Sequence, residues 1–353
     1  MAAIDEAKLQ AFIGKAFGDM GAAVTALLCF TGERLGLYRA MAGAGPLTAA
    51  ELAHKSGTAE RYVREWLGNQ AASGYVEYDP ASGKYLLPAE HAVALTAEHS
   101  PFFIAGAFST VIAAARVQPK IAEAFKTGKG IGWHEHDPIL FEGTERFFRP
   151  LYNAALVAAW IPALEGVEAK LKSGAKAADV GCGRGSSTVI LAQAFPKSTF
   201  YGFDYHGPSI EIARQRAREA GVADRAIFEV ASSKTFSGTD YDLITYFDCL
   251  HDMGDPVGAA AHTRAALKPD GTMMLVEPYA EDTVEGNLNP RGCFMYGVST
   301  MVCTPASLAQ EVGLALGAQA GEKRLRDVVT EAGFTRFRRA TETPFNVVLE
   351  VRP

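Results

Sequence analysis

Asp179-Val180-Gly181-Cys182-Gly183-Arg184-Gly185 follows a short apolar run and opens a helical one. Glycines let a backbone turn sharply and approach a ligand with no Cβ in the way. N–H groups at the start of the following helix can donate to an anionic or polar group. A glycine loop alone says little, because dinucleotide-binding folds place G-x-G-x-x-G at the same point. Here the glycines fall at 181, 183 and 185, and Ser186 stands where the last glycine of that pattern belongs. The next apolar run ends in Tyr201-Gly202-Phe203-Asp204. An acid there can accept from both hydroxyls of a ribose, although an acid just before a helix also suits the helix dipole. Taken together, the loop and the acid point to an adenosine-type ligand.

Other chemistries find less support. The five cysteines (Cys29, Cys182, Cys249, Cys293, Cys303) show no C-x-x-C spacing, and an odd, scattered set reads as free thiols in a reducing compartment. His134 and His136 supply two metal-ligand types with no third nearby in sequence, so no metal is expected there. The formal net charge of −6 argues against a large nucleic-acid footprint. Met1–Gln10 has no basic start followed by an apolar core, so no secretory signal is expected. No run of about 18 or more apolar residues is apparent, so no membrane span is expected either. These points favour a cytoplasmic protein.

The elements that would position the loop and the acid fall in three zones. Residues 1–98 are Ala-rich and helical in period. Thr48 and Glu51 form a capping-box start, Gly57 makes a turn, a second helix runs from about Ala59 to Ser73, and Gly74 stops it. Tyr75–Tyr78 and Lys84–Leu87 then flank Asp79-Pro80-Ala81-Ser82-Gly83 as two short strands. Helix, turn, helix and wing make a winged-helix pattern. Its second helix carries Arg61 and Arg64 but also Glu60 and Glu65, which favours packing or dimerisation over DNA binding. Phe12, Phe17, Leu27, Leu28 and Phe30 are expected to bury against a second copy of the chain. Residues 99–172 read as a helical linker and pocket-lining segment. Residues 173–353 alternate apolar strands with helices, as a parallel sheet requires. Its last two strands are joined only by Thr341-Glu342-Thr343-Pro344, too short for a crossover, so they form an antiparallel hairpin.

Loop, acid and hairpin together resemble the class I S-adenosylmethionine-dependent methyltransferases, and in particular those with an N-terminal winged-helix dimerisation domain. The resemblance implies a Rossmann-like α/β sheet of strand order 3-2-1-4-5-7-6 with strand 7 antiparallel. It covers nearly the whole chain and extends to a bacterial branch often labelled as transcriptional regulators. It assigns Asp179, Gly181, Cys182, Gly183, Gly185, Asp204, Tyr205, Ser232, Ser233 and Phe247 to the S-adenosyl-L-methionine site. Ser232 stands where an acid usually meets the adenine amino group, and a serine can still accept a hydrogen bond.

Asp248-Cys249-Leu250-His251-Asp252-Met253 is similar to the LHDW segment of small-molecule O-methyltransferases. That likeness makes His251 the general base and Glu277, after the fifth strand, the acid that orients it. A histidine titrates near neutrality and can take a hydroxyl proton as the methyl arrives. Phe148–Leu156 looks like the family's pocket helix. With the 278–322 insertion it implies an acceptor site of Trp133, His134, Tyr152, Asn153, Leu156, Asp252 and Tyr296. The expected protein is a homodimer that methylates a nucleophilic oxygen of a small molecule. A thiol or nitrogen acceptor remains open, as does a ligand-sensing winged-helix regulator.

Overall fold

A computed structural model describes residues 4–353. The chain forms two compact units: residues up to 112 with 142–150, and residues 113–141 with 151–353. The stretch 99–172 therefore has no unit of its own and is divided between the two.

In the first unit, Asp5 accepts from the Lys8 N–H and starts α1 (Glu6–Arg34). α2 (Leu37–Met41) follows, and the Thr48/Glu51 capping box starts α3 (Ala49–Ser56). Gly57, at φ 67°, takes the left-handed turn into α4 (Glu60–Ala72). β1 (Glu77–Asp79) and β2 (Lys84–Leu86) pair antiparallel as the wing, and α5 (Ala89–Thr96) closes the domain. Leu37, Leu52, Val63, Trp66, Leu67 and Leu95 are among its core residues. On α4, Arg61 pairs with Glu65 and Arg64 with Glu60, so the second helix of the motif presents compensated charge.

α1 departs from expectation. Among the described helices it is long and apolar enough, by length and composition, to cross a membrane. Small residues and a single charge, Asp19, between Lys15 and Glu33 produce that profile. Ile13, Phe17, Met20, Val24 and Leu27 are all exposed, at alternating spacings of four and three, the period of a coiled-coil seam. Phe12 is exposed as well, whereas Leu28 packs into the domain's own core.

α6 (Ala107–Thr127) and α7 (Ile139–Ala155) each contribute residues to both units. A π-helical turn, Leu156–Trp160, continues α7 and leads to α8 (Val167–Ser173). The strands β3 (Lys176–Val180), β4 (Thr199–Asp204), β5 (Ala226–Val230), β6 (Tyr241–Phe247) and β7 (Leu267–Pro278) follow. They alternate with α9 (Ser186–Ala194), α10 (Gly207–Glu219) and α11 (Pro256–Ala266). Next come α12 (Pro290–Val298), a π turn at Ser299–Cys303, α13 (Thr304–Leu308) and α14 (Gly321–Glu331). β8 (Arg336–Glu342) and β9 (Asn346–Arg352) end the chain.

The seven strands run in the order β5-β4-β3-β6-β7-β9-β8, which is the expected 3-2-1-4-5-7-6. β9 is antiparallel to both of its neighbours. Val180 pairs with Phe203 and Tyr246, and Phe247 with Val276, so the carboxyl ends of the parallel strands meet along one edge. Because β9 runs the other way, its first residue, Asn346, arrives at that edge opposite Pro278.

Candidate active site

The glycine loop leaves β3 and turns into α9. Gly181, Gly183 and Gly185 all have positive φ (75°, 52° and 76°). Two of them are held by packing: a Cβ on Gly181 would lie 2.7 Å from Cys249 Sγ, and one on Gly185 would lie 2.8 Å from Ala213 Cβ. A Cβ on Gly183 would meet nothing within 4 Å. The middle of the loop thus opens onto space that a ligand can enter.

Asp204, at the end of β4, faces this opening. Its carboxylate accepts from the Gly183 N–H at 2.9 Å and the His206 N–H at 2.8 Å. Burial raises its pKa, against the pull of those two N–H groups. Each oxygen keeps a lone pair for a hydroxyl. Asp179 is placed differently. Only 3 % exposed, it accepts from Ser187 and Thr188 at 2.6 Å each, which ties the loop to α9 rather than presenting the carboxylate to a ligand. Burial pushes its pKa up to about 6.

The acids continue across the edge. His251 sits on a short turn after β6, 3 % exposed. Its Nδ1 lies 2.5 Å from Glu277 Oε2, and Glu277 Oε1 accepts from the Leu250 N–H at 3.0 Å. Burial opposes charge on the imidazole, but Asp252, Glu277 and Cys303 outweigh it and hold its pKa well above the ordinary value. Asp248 was not singled out from the sequence. It adopts φ 51°, a strained conformation for a residue with a side chain. It accepts from Tyr152 Oη at 3.2 Å and Asn346 Nδ2 at 2.6 Å. Burial and the neighbouring Glu277 push its carboxyl up to about 8. The sequence signal for it was its place at the head of the Asp248–Met253 segment; Asn346 gave none.

That shift has a consequence for stability. Between the ordinary carboxyl value and about 8, native Asp248 keeps a proton that the unfolded chain releases, so rising pH favours unfolding. His251 acts in the same direction, because stabilisation by its charge is lost as pH climbs through its raised folded value. Urea unfolding should therefore show stability falling from pH 5 to pH 8. Asp248→Asn should remove up to one proton's worth of that slope, about 1.4 kcal/mol per pH unit. Equal slopes in wild type and variant would refute the assignment.

The remaining expected residues divide. Phe247 is buried and packs on Tyr152, with ring centroids 5.2 Å apart. Tyr152 and Leu156, one helical turn apart, are both buried. Trp133 packs with Phe141, Met295, Val298 and Met301 around a small cluster that includes Leu140 and Cys303. Cys182 is buried beneath the loop, and half-exposed Tyr205 follows Asp204. Three residues of the expected acceptor set are exposed. Asn153 is exposed, as the helical step from buried Tyr152 dictates. Tyr296 is exposed, and its neighbour Met295 faces the cluster instead. The His134 side chain is exposed, while His136 is buried. On the donor side, Ser232 is exposed and bonded to Thr235 and the Lys234 N–H, with half-buried Ser233 beside it in the same turn.

Comparisons with known proteins agree with this fold. Residues 22–97 match the Rv2258c-like winged HTH domain, and residues 171–333 match a methyltransferase domain. Ubiquinone biosynthesis O-methyltransferase of Actinobacillus pleuropneumoniae serotype 5b is 31 % identical over 105 residues, covering 28 % of this chain and 44 % of that protein. The 27-O-demethylrifamycin SV methyltransferase of Amycolatopsis mediterranei is 29 % identical over 107 residues, covering 30 % and 39 %. The chain spans less than half the length of these curated relatives. Among solved structures, mitomycin 7-O-methyltransferase MmcR is similar at TM-score 0.72 and 21 % identity, covering 99 % of this chain and 100 % of that one. Human N-acetylserotonin methyltransferase, in complex with S-adenosylmethionine, is similar at TM-score 0.69 and 17 % identity, covering 100 % and 99 %. Fold and domain matches define the class: a class I S-adenosylmethionine-dependent methyltransferase. More narrowly, the chain belongs to those with a winged helix-turn-helix domain ahead of the catalytic domain, here of the Rv2258c-like kind.

Proposed function

We propose that the protein transfers the methyl group of S-adenosylmethionine to an oxygen of a small molecule, with His251 as general base and Glu277 as its positioning residue. The observation that carries this reading is the 2.5 Å contact between Glu277 and His251 Nδ1. Holding the proton on Nδ1 leaves the lone pair of the neutral imidazole on Nε2. When bound, the donor supplies an already activated methyl sulfonium, so the protein's task is alignment and proton removal. Gly181, Cys182, Gly183 and Gly185 form the cradle, Asp204 takes the ribose, and Tyr205 and Phe247 flank the ligand. Glu277, Asp179, Asp252 and Asp204 all act on half-buried Cys249, which makes the edge a favourable place for a cation. Trp133, Phe141, Leu156 and Met295 give the acceptor an apolar wall.

The test is S-adenosylhomocysteine release across a panel of phenols, thiols, amines and hydroxy acids. Turnover with phenolic or enolic hydroxyls is expected; turnover with thiols or amines alone would replace the oxygen reading. All five cysteines are free, which fits a cytoplasmic location.

We further propose that the α1 seam joins two copies of the chain. Contiguous apolar surface of this kind is uncommon on monomers. Wild type should sediment as a dimer at micromolar concentration, and Phe17→Glu, which sets a charge in the seam, as a monomer. A wild-type monomer that floats with liposomes would assign the seam to a membrane surface instead.

A further inference from the structure

We propose that His251, Asp252 and Cys303 form a binding site for a zinc-class divalent cation on the acceptor side of the base. One ligand atom from each, an imidazole nitrogen, a carboxylate oxygen and a thiol sulfur, lie within 4.8 Å of one another. Donors around one tetrahedral ion stand about 3.3–3.6 Å apart, given bonds of about 2.0–2.3 Å. The trio therefore closes on an ion with roughly an ångström of side-chain movement.

Four further observations support it. Asp252 Oδ1 is buried 3.3 Å from His251 Nε2, and the groups that act on the Asp252 carboxyl include both the imidazole and the Cys303 thiol, so the three donors already face one another. Glu277 on Nδ1 is the outer carboxylate that orients a metal-binding histidine and raises its basicity. Cys303 ends the π turn Ser299–Cys303, a helix irregularity common at functional sites. Two carboxylates, Asp252 and Glu277, flank the single imidazole, and the partners of Glu277 are His251 and the Leu250 N–H, neither of them a Lys or Arg. The excess negative charge favours a cation. A mixed nitrogen, oxygen and sulfur set suits zinc or cobalt over magnesium.

Binding would release the Cys303 thiol proton to solvent and occupy the Nε2 lone pair. The cation thus competes with the proton and inhibits methyl transfer; that effect rests on the proposed role of His251, whereas binding does not. The experiment titrates chelator-stripped full-length protein with Zn2+ alone, and with Co2+ alone for its thiolate charge-transfer absorption. Wild type should bind Zn2+ at least about ten-fold tighter than Cys303→Ser or Asp252→Asn, and the cobalt band should vanish in Cys303→Ser. Equal affinities in the three proteins, or a cobalt band that survives Cys303→Ser, would overturn the site. Tight binding at this site with a metal-free His251→Ala enzyme of full activity would leave the site standing and remove the base. Zn2+ that binds here yet leaves wild-type turnover unchanged would overturn the inhibition.

Discussion

His251→Ala should bind the methyl donor as wild type does and turn over a hydroxyl acceptor about 10²–10⁴-fold more slowly, the usual contribution of a general base. The proposed donor cradle and ribose acid come from β3, β4 and their following turns, whereas His251 stands on the turn after β6, so its removal leaves the cradle in place. Wild-type turnover should rise with pH through the His251 titration, since only neutral imidazole accepts a proton. That titration lies above the ordinary histidine value in the ligand-free protein, because the surrounding carboxylates favour the charged form. A sulfonium brought to the same edge repels the imidazolium and lowers the barrier to its deprotonation, so the kcat profile should sit at lower pH than the kcat/KM profile. Glu277→Gln should lose less than His251→Ala, because the accepting nitrogen remains. A thiol acceptor ionises largely unaided near pH 8.5, and with it the His251→Ala defect should shrink as pH rises. A variant as active as wild type at neutral pH on its true acceptor would remove the general base from the mechanism.

Asp204→Ala should weaken S-adenosylmethionine binding by a hundred-fold or more. Two charge-assisted hydrogen bonds to ribose are worth roughly 1.5–3 kcal/mol each. The carboxylate also holds the Gly183 and His206 N–H groups, so its loss loosens the loop as well as removing the acceptor. Asp204→Asn separates the two effects, because the amide oxygen retains one acceptor while the ionic part is lost. Calorimetry on a variant with unchanged thermal unfolding is the measurement, and unaltered affinity would move the ribose elsewhere.

The catalytic sheet was legible in the sequence to within a few residues at each strand end. β3, β4, β6 and β7 are apolar runs that end at or beside Gly181, Asp204, Asp248 and Glu277. The Thr341–Pro344 link alone required the hairpin, and the hairpin in turn explains why Asn346 reaches the active edge. Local motifs anticipated which residues the fold brings together: the glycine loop with Asp204, and His251 with Glu277. Contacts between distant residues were not anticipated. Asp248 meets Asn346 across 98 positions, and Cys303, at the end of the Ser299–Cys303 π turn, lies beside His251 from far along the chain. Asn153 and Tyr296, assigned to the acceptor site by the resemblance, are exposed, and their neighbours Tyr152 and Met295 turn inward. The sequence put Phe12, Phe17, Leu27, Leu28 and Phe30 against a second copy; Phe17 and Leu27 lie in the exposed seam, whereas Leu28 packs into the domain's own core.

Asp248 bears on any attempt to make this protein more heat-resistant. Its left-handed backbone and its buried carboxyl each oppose folding, the first by about 1–3 kcal/mol. Glycine at 248 would relieve both at once, so selection for thermal tolerance alone should return to this position repeatedly. The survivors would be sturdier and would have given up the anchor of Tyr152 and Asn346. Directed evolution that scores melting temperature without turnover would therefore be drawn toward dismantling the catalytic edge.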